Sequence, residues 1–227
     1  MKPTQSKSDI VWYDCLDSTN SEVRRRIREL DNLSVTAARY QTAGRGQGSH
    51  VWLSPKGENL TFSMLLRFGH SGISPLPASD ALHITRMATL SIHAFLEEDG
   101  VSSRIKWPND IWVDDRKICG MLIENILDGG FVSESIVGIG INLNQKSFDP
   151  SLPNPVSLFQ LSGKEYPAEA TLRRIYAQLC RHAALLDSDD GRCELEREFE
   201  KYLFHLEKAG QDRLDAAIAD FEAGRRP

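Results

Sequence analysis

Between Ser103 and Asn142 the chain is cut into short extended runs, and no other stretch limits its fold as much. Ser103 to Trp107, Ile111 to Val113, Ile118 to Glu124 and Phe131 to Asn142 are separated by Pro108-Asn109-Asp110, Asp114-Asp115-Arg116 and Asp128-Gly129-Gly130. Runs of this length joined by Asp, Asn and Gly turns are the pattern of an antiparallel meander. Leu60, Phe62, Met64, Leu66 and Phe68 alternate with Thr61, Ser63 and Arg67, the period of a strand in a sheet packed on one side, and this strand should be central. Ile84, Met87, Ala88, Ile92 and Phe95 have helical spacing within Ala78 to Asp99, with Gly100 placed to end a helix that covers the sheet.

The rest of the chain supports the same class. Ile10 to Tyr13 and Val35 to Tyr40 read as strands. Thr19 and Glu22 form a capping box for a helix from Glu22 to Leu30, with Val23, Ile27 and Leu30 on one face. After a proline-rich connector from Asp149 to Pro155, Leu172, Ile175, Tyr176, Leu179, Ala183 and Leu186 share one helical face, and Leu195, Phe199, Leu203 and Leu206 another. Strands and helices mix without βαβ alternation, which predicts an α+β fold with a mixed, largely antiparallel sheet backed by helices.

The 227 residues suit one domain, or one domain with a small appendage. With 41% hydrophobic and 26% charged residues and a net charge of −5, the chain has the balance of a soluble globular protein and no global basic field for nucleic acid. No apolar run reaches membrane-spanning length and the polar start Met1 to Asp9 lacks a signal-peptide core, so a cytoplasmic enzyme or binding protein is expected. Cys15, Cys119, Cys180 and Cys193 have no CxxC spacing, and only His182 lies close to one of them in sequence. Reduced thiols rather than a metal site are expected.

Chemistry concentrates in a few places. Thr36 to Trp52 is a strand-like run that empties into a loop with glycine at every second position from Gly44 to Gly48 and Arg45 between the first two. Glycine lets backbone N–H groups approach an anion, and the arginine adds a planar charged fork. Lys106-Trp107-Pro108-Asn109-Asp110 sets a cation, an aromatic plane and a carboxylate around a turn, and Arg116-Lys117 precedes Cys119-Gly120. Taken singly these features read as structure. Ser18-Thr19-Asn20 starts a helix, Trp107 is core, Lys106 and Lys117 are solvated, and Gly138 and Gly140 mark a close backbone approach.

Taken together, in order, Ser18-Thr19-Asn20, Gln41, Gly44-Arg45-Gly46, Trp52, Lys106 to Asp110, Arg116-Lys117 with Gly120, and Gly138-Ile139-Gly140-Ile141-Asn142-Leu143-Asn144 resemble a biotin protein ligase from about Trp12 to Asn144. The resemblance implies a catalytic domain over residues 1–207 that uses ATP and Mg²⁺ to make biotinyl-AMP. It also implies transfer of biotin to a lysine of a biotin carboxyl carrier protein. Ser18, Thr19, Asn20 and Gln41 would bind the ureido end of biotin and apolar strand residues its ring and tail, with Gly44, Arg45, Gly46 and Lys117 at the carboxylate and α-phosphate and Gln47 and Gly120 also in the biotin site. Arg45, Trp52, Lys106, Trp107, Asn109, Lys117 and Asn142 would contact the nucleotide, with Asn109 and Asp110 orienting nucleotide or Mg²⁺.

The catalytic set implied is Lys117, Arg45 and Asp110, with Asp110 assisting the incoming lysine and no metal cage in the protein itself. Gln47 stands where this family often has arginine, which removes a charge from the loop. Some relatives begin with a DNA-binding domain, for which Met1 to Asp17 is too short. Family members commonly finish in a small β-barrel, where residues 208–227 here read as a polar helical tail. Two alternatives stay open: a lipoate- or octanoate-transferring enzyme of the same fold, and a non-catalytic or impaired binder of biotin or its adenylate. Exposed edge strands offer a place for two copies to pair as a homodimer, though no residue fixes that.

Overall fold

A computed structural model describes residues 10–204 apart from 49 and 153; the tail expected over 208–227, and Leu206, lie outside the described residues. The elements run β1 (Ile10–Tyr13), α1 (Thr19–Arg25), β2 (Val35–Ala38), β3 (Leu60–Arg67), β4 (Leu76–Pro77), α2 (Leu82–Glu98), β5 (Arg104–Lys106), β6 (Asp110–Val113), β7 (Arg116–Asp128), β8 (Phe131–Ile141), α3 (Leu158–Ser162), α4 (Ala168–Ala183) and α5 (Asp189–Tyr202). The strands form one eight-stranded sheet in the order β1-β2-β3-β8-β7-β6-β5, with β4 on a second edge of β8. The α+β class and the meander from β5 to β8 are as the residue pattern predicts, each neighbouring pair being antiparallel.

Two expectations change. First, β1 and β2 pair in parallel across α1, so the fold does contain one βαβ unit, at its edge. Second, β3 is buried on both faces, not one. Leu60, Phe62, Met64 and Leu66 join the large core under the helices, while Leu65 packs with Val23 and Ile136, and with Ile27 and Leu30 beside them. That smaller cluster is the floor of α1, and it uses the apolar face that the spacing of Val23, Ile27 and Leu30 predicts. The helix itself is shorter than its periodicity suggests, ending at Arg25.

The capping box expected at Thr19 and Glu22 does not form. Ser18 is the N-cap, without a side-chain cap bond, and Thr19 is already helical with its hydroxyl turned to Gln41 and Ser63. A true capping box closes α3 instead, between Ser157 and Gln160.

The main core lies between the sheet and α2, α4 and α5. Phe62, Met87, Ile92, Phe95, Ile105, Ile175 and Leu179 are fully buried there, each side chain worth about 1.5–3 kcal/mol relative to exposure. Gly100 ends the α2 segment at φ +72 and Gly129-Gly130 turns β7 into β8 at φ +55 and +86, conformations that side-chain-bearing residues resist. No helix among the described residues is long and apolar enough to cross a membrane, and no disulfide is present among them.

Candidate active site

The pleat sorts the sheet's side chains into two faces. Gly120 pairs with Gly140 and Leu122 with Gly138, Asp110 pairs with Gly120, and Lys106 with Asp110. All of these, with Thr61, line a cavity of about 480 Å³ on the face opposite α2. Lys117 reaches the same face through an irregularity. The register shifts between Ile111 and Trp112, so that Ile111 faces Cys119 but Trp112 faces Lys117. The extra residue, Ile118, is fully buried, and the bulge re-aims Lys117 toward Asp110. Its Nζ lies 2.7 Å from Asp110 Oδ1.

One end of the cavity is a buried polar head. Gln41 Oε1 accepts from the Thr19 N–H at 2.8 Å and lies 3.2 Å from the Thr19 hydroxyl, which leaves the Gln41 amide nitrogen as donor. Ser63 Oγ lies 2.7 Å from Thr19 Oγ1 and 2.5 Å from Asn20 Oδ1. Ser18, Thr19 and Asn20 are all buried. Just outside, the Arg25 guanidinium and the Ser18 N–H hold the Asp17 carboxyl well below the usual carboxylate range.

The glycine loop is a small closed ribbon. The Trp52 N–H donates to the Gly44 carbonyl at 3.0 Å and the Gly46 N–H to the His50 carbonyl at 2.8 Å. This lays the Trp52 indole on the sheet. A Cβ on Gly140 would meet the Trp52 ring at 2.3 Å, and one on Gly120 would meet Lys117 Nζ at 3.0 Å and the ring at 3.1 Å. Glycine is required at Gly140 because an aromatic ring takes the space of a side chain. Arg45 projects from this ribbon and forks onto Glu124, Nη2 to Oε2 at 3.1 Å and Nη1 to Oε1 at 3.4 Å.

The other end is cationic. Lys106 Nζ sits 3.9 Å above the Trp112 ring and has no ion pair among the described residues. Lys106 and Lys117 thus stand beside Asp110, the single lining carboxylate among the described residues, while Arg45 lines the same cavity paired with Glu124. The indole N–H groups of Trp52 and Trp112 are buried without a partner among the described residues, and both residues line the cavity.

Of the residues singled out in the sequence, Ser18, Thr19, Asn20, Gln41, Arg45, Gly46, Gln47, Trp52, Lys106, Asn109, Asp110, Lys117, Gly120 and Asn142 come together on this wall. Two do not. Trp107 packs edge-on against Phe199 of α5, ring centroids 6.3 Å apart, beside the main core. Its strand neighbour Ile105 belongs to that core face, and Trp107 follows it there. Gly44 stands just outside, where a Cβ would strike the Trp52 carbonyl at 2.4 Å; it closes the ribbon. Two others are occupied structurally while lining the cavity. Asn109 donates to the Met121 carbonyl, and Asn142 Nδ2 to the Val156 carbonyl at 3.1 Å and the Lys117 carbonyl at 3.3 Å.

Thr61, Ser63, Trp112, Leu122 and Glu124 were not singled out. Counting by twos from Gly120 would have found Leu122 and Glu124. Among the described residues no cluster of three or more His, Cys, Asp or Glu is placed to hold a metal ion.

The model of the biotin/lipoate A/B protein ligase family matches residues 12–142. The chain is 35% identical over 139 residues to the bifunctional ligase/repressor BirA of Escherichia coli, a match covering 61% of this chain and 42% of that protein. It is 29% identical over 182 residues to the biotin–[acetyl-CoA-carboxylase] ligase of Paracoccus denitrificans, covering 76% of this chain and 72% of the relative. The matched region thus spans less than half of the first relative's length and nearly three quarters of the second's. In structure it is similar to the biotin protein ligase of Aquifex aeolicus solved with biotin and ATP, with a TM-score of 0.73, 24% identity and coverage of 88% of this chain and 80% of that one. The mixed sheet with its helices is the catalytic-domain fold of these ligases.

Proposed function

Because the chain belongs to the biotin/lipoate A/B protein ligase family, we propose that it is an ATP-dependent ligase that activates biotin as biotinyl-AMP and transfers it to a lysine of a biotin carboxyl carrier protein. The observation that carries this reading is the order of the cavity wall. A buried donor and acceptor head at Thr19, Asn20 and Gln41 leads past Arg45 and over a glycine floor to Lys117 and Lys106 beside Asp110. A ligand with a polar ring at one end and a carboxylate at the other fits that order.

In the first step a carboxylate oxygen of biotin attacks the α-phosphorus and the bond to pyrophosphate breaks. Two anions must be brought together, so positioning and charge cancellation dominate. Arg45 and Lys117 flank the meeting point, with Lys106 on the nucleotide side. In the second step the carrier amine attacks the acyl carbon, AMP leaves with its bonding electron pair, and Asp110 accepts the amine's proton after Lys117 has turned to the leaving phosphate. Among the described residues Asp110 is the one carboxylate on the wall. The wall therefore fits Mg²⁺ only in company with nucleotide phosphates, which would supply most of its oxygen ligands.

The test is biotin-dependent exchange of labelled pyrophosphate into ATP, run beside transfer of biotin to an acceptor carrier domain. Both activities are expected, and Lys117→Ala should lower exchange about 10²–10³-fold, the usual cost of removing a group aimed at transition-state charge. Binding of biotin without exchange would replace this reading with the non-catalytic one. The loop carries Gln47 in place of an added cation, so Gln47→Arg should slow adenylate release about two- to fivefold, read by chase with unlabelled ligand. No change on adding the charge would remove Gln47 from the account of adenylate retention.

A further inference from the structure

Two acceptors converge on one atom of Asn20. Its Nδ2 donates to the Leu122 carbonyl at 3.2 Å and to Glu124 Oε2 at 2.8 Å, while Oδ1 lies 2.5 Å from Ser63 Oγ. The flipped amide would aim its oxygen at a carbonyl and a carboxylate, so these neighbours permit one orientation. Both Nδ2 hydrogens are then used. Because an amide oxygen can only accept, the Ser63 hydroxyl donates to it, and one lone pair of Oδ1 remains. A Cβ on Gly138 would come 2.2 Å from that oxygen, and Gly138 lines the cavity. The unspent capacity of a buried side chain therefore faces the ligand.

Glu124 stands behind this arrangement. It lies on the cavity face of β7 two residues beyond Leu122, paired across the sheet with Ile136. The same carboxylate takes the Arg45 fork and lies 3.5 Å from Arg24 Nη2, so two arginines supply its countercharge.

We propose that Glu124 is a positioning residue that fixes the amide of Asn20 with its oxygen toward the cavity, and so makes the polar head an acceptor for a ligand N–H. It touches no reacting atom. Without it the Leu122 carbonyl alone opposes the flip, and the head loses its fixed polarity. The same carboxylate ties that head to Arg45 on the glycine ribbon. The identity of the ligand as biotin rests on the function proposed above; the orientation of Asn20 does not.

A swap of donor and acceptor tests the claim in the full chain. Asn20→Asp sets a second carboxylate against Glu124 and should weaken biotin binding about 100-fold, as expected for an unpaired charge at a buried polar site. Glu124→Gln in the same chain returns an N–H to face the new carboxylate, and should recover at least about tenfold of that loss, a coupling that independent sites do not show. Losses that add, leaving the double variant weaker than either single one, overturn the proposal.

A second measurement needs no ligand and no aspartate variant. In ¹⁵N-labelled protein one Asn20 Nδ2 proton should resonate downfield of its partner through the bond to the carboxylate, and Glu124→Gln and Glu124→Ala should move it upfield. An Asn20 side-chain signal indifferent to both variants overturns the proposal whatever binds in the cavity. If calorimetry finds no biotin binding by the unaltered chain, the functional reading fails separately, and this signal alone decides the role of Glu124.

Discussion

Where β3 and β8 cross the cavity, their two faces carry opposite kinds of residue. On the helix side β3 presents Leu60, Phe62, Met64 and Leu66, and β8 presents Val137, Ile139 and Ile141. On the other side β3 presents Thr61 and Ser63, and β8 presents Gly138 and Gly140, where a side chain would collide with Asn20 or Trp52. One face gains from filling volume and the other, beyond the Leu65 and Ile136 cluster under α1, from leaving it. Stability and ligand recognition are therefore separated by a step of one residue, which follows from the alternation of a pleated strand.

The largest effect that could break this division lies at Phe62. It is fully buried on the helix face, and Phe62→Ala should cost about 3–5 kcal/mol of stability by urea unfolding, with ligand affinity unchanged per folded molecule. Its neighbour offers the contrast. Ser63 is equally buried and bonds Thr19 and Asn20. Ser63→Ala should cost only about 1 kcal/mol in the same measurement and yet weaken biotin binding about tenfold, since the loss of a donor loosens the head. If Phe62→Ala impaired binding in fully folded protein, the two faces would not be independent.

A smaller effect sharpens the same comparison by adding an atom where the division requires none. Gly140→Ala places a methyl group 2.3 Å from the Trp52 ring, and the ring must leave the sheet. Overpacking of this kind costs about 1–3 kcal/mol. The expected signature is a changed Trp fluorescence spectrum and at least about tenfold weaker nucleotide binding, with the urea midpoint lowered less than by Phe62→Ala. An unchanged emission spectrum would mean that Trp52 does not rest on the glycine floor.

The helix face was readable in advance because burial repeats. Leu60 to Phe68 announces β3 and Ile84 to Phe95 announces α2, each through apolar residues at a regular interval. On the cavity face most polar residues were found through their order along the chain, not through any period. What stayed hidden has particular causes. Glu124 closes an apolar run and looks like the end of a strand. Lys117 and Gly120 are three apart, so strict alternation puts them on opposite faces, and only the bulge at Ile118 unites them. Trp107 keeps company with chemistry in the sequence but packs on Phe199, a contact set by a helix more than ninety residues later. The second burial of β3 depends on α1 crossing back over it, which no local pattern states.

The smallest expected effect is a pH dependence of stability that arises on the helix side. His93 on α2 and His182 on α4 are buried, bonded to Ser103 Oγ at 2.8 Å and to the Gln178 carbonyl at 2.9 Å. Burial pushes both imidazoles below their ordinary value of 6.5, with Glu97 and Glu198 partly opposing this at His93 and Arg181 reinforcing it at His182. The fold thus favours the neutral rings. As pH falls below 6.5 the unfolded chain takes up protons that the folded chain refuses, and stability declines until the folded values are reached. Each histidine should contribute to the fall as pH drops through 6.5. His93→Gln and His182→Gln should each flatten that fall in urea midpoints. Beside the cavity Asp17, held low by Arg25 and the Ser18 N–H, keeps its charge through the same interval and adds nothing to that fall. Urea midpoints that held flat over this interval, or fell equally in both variants and the unaltered chain, would remove His93 and His182 from the account of stability.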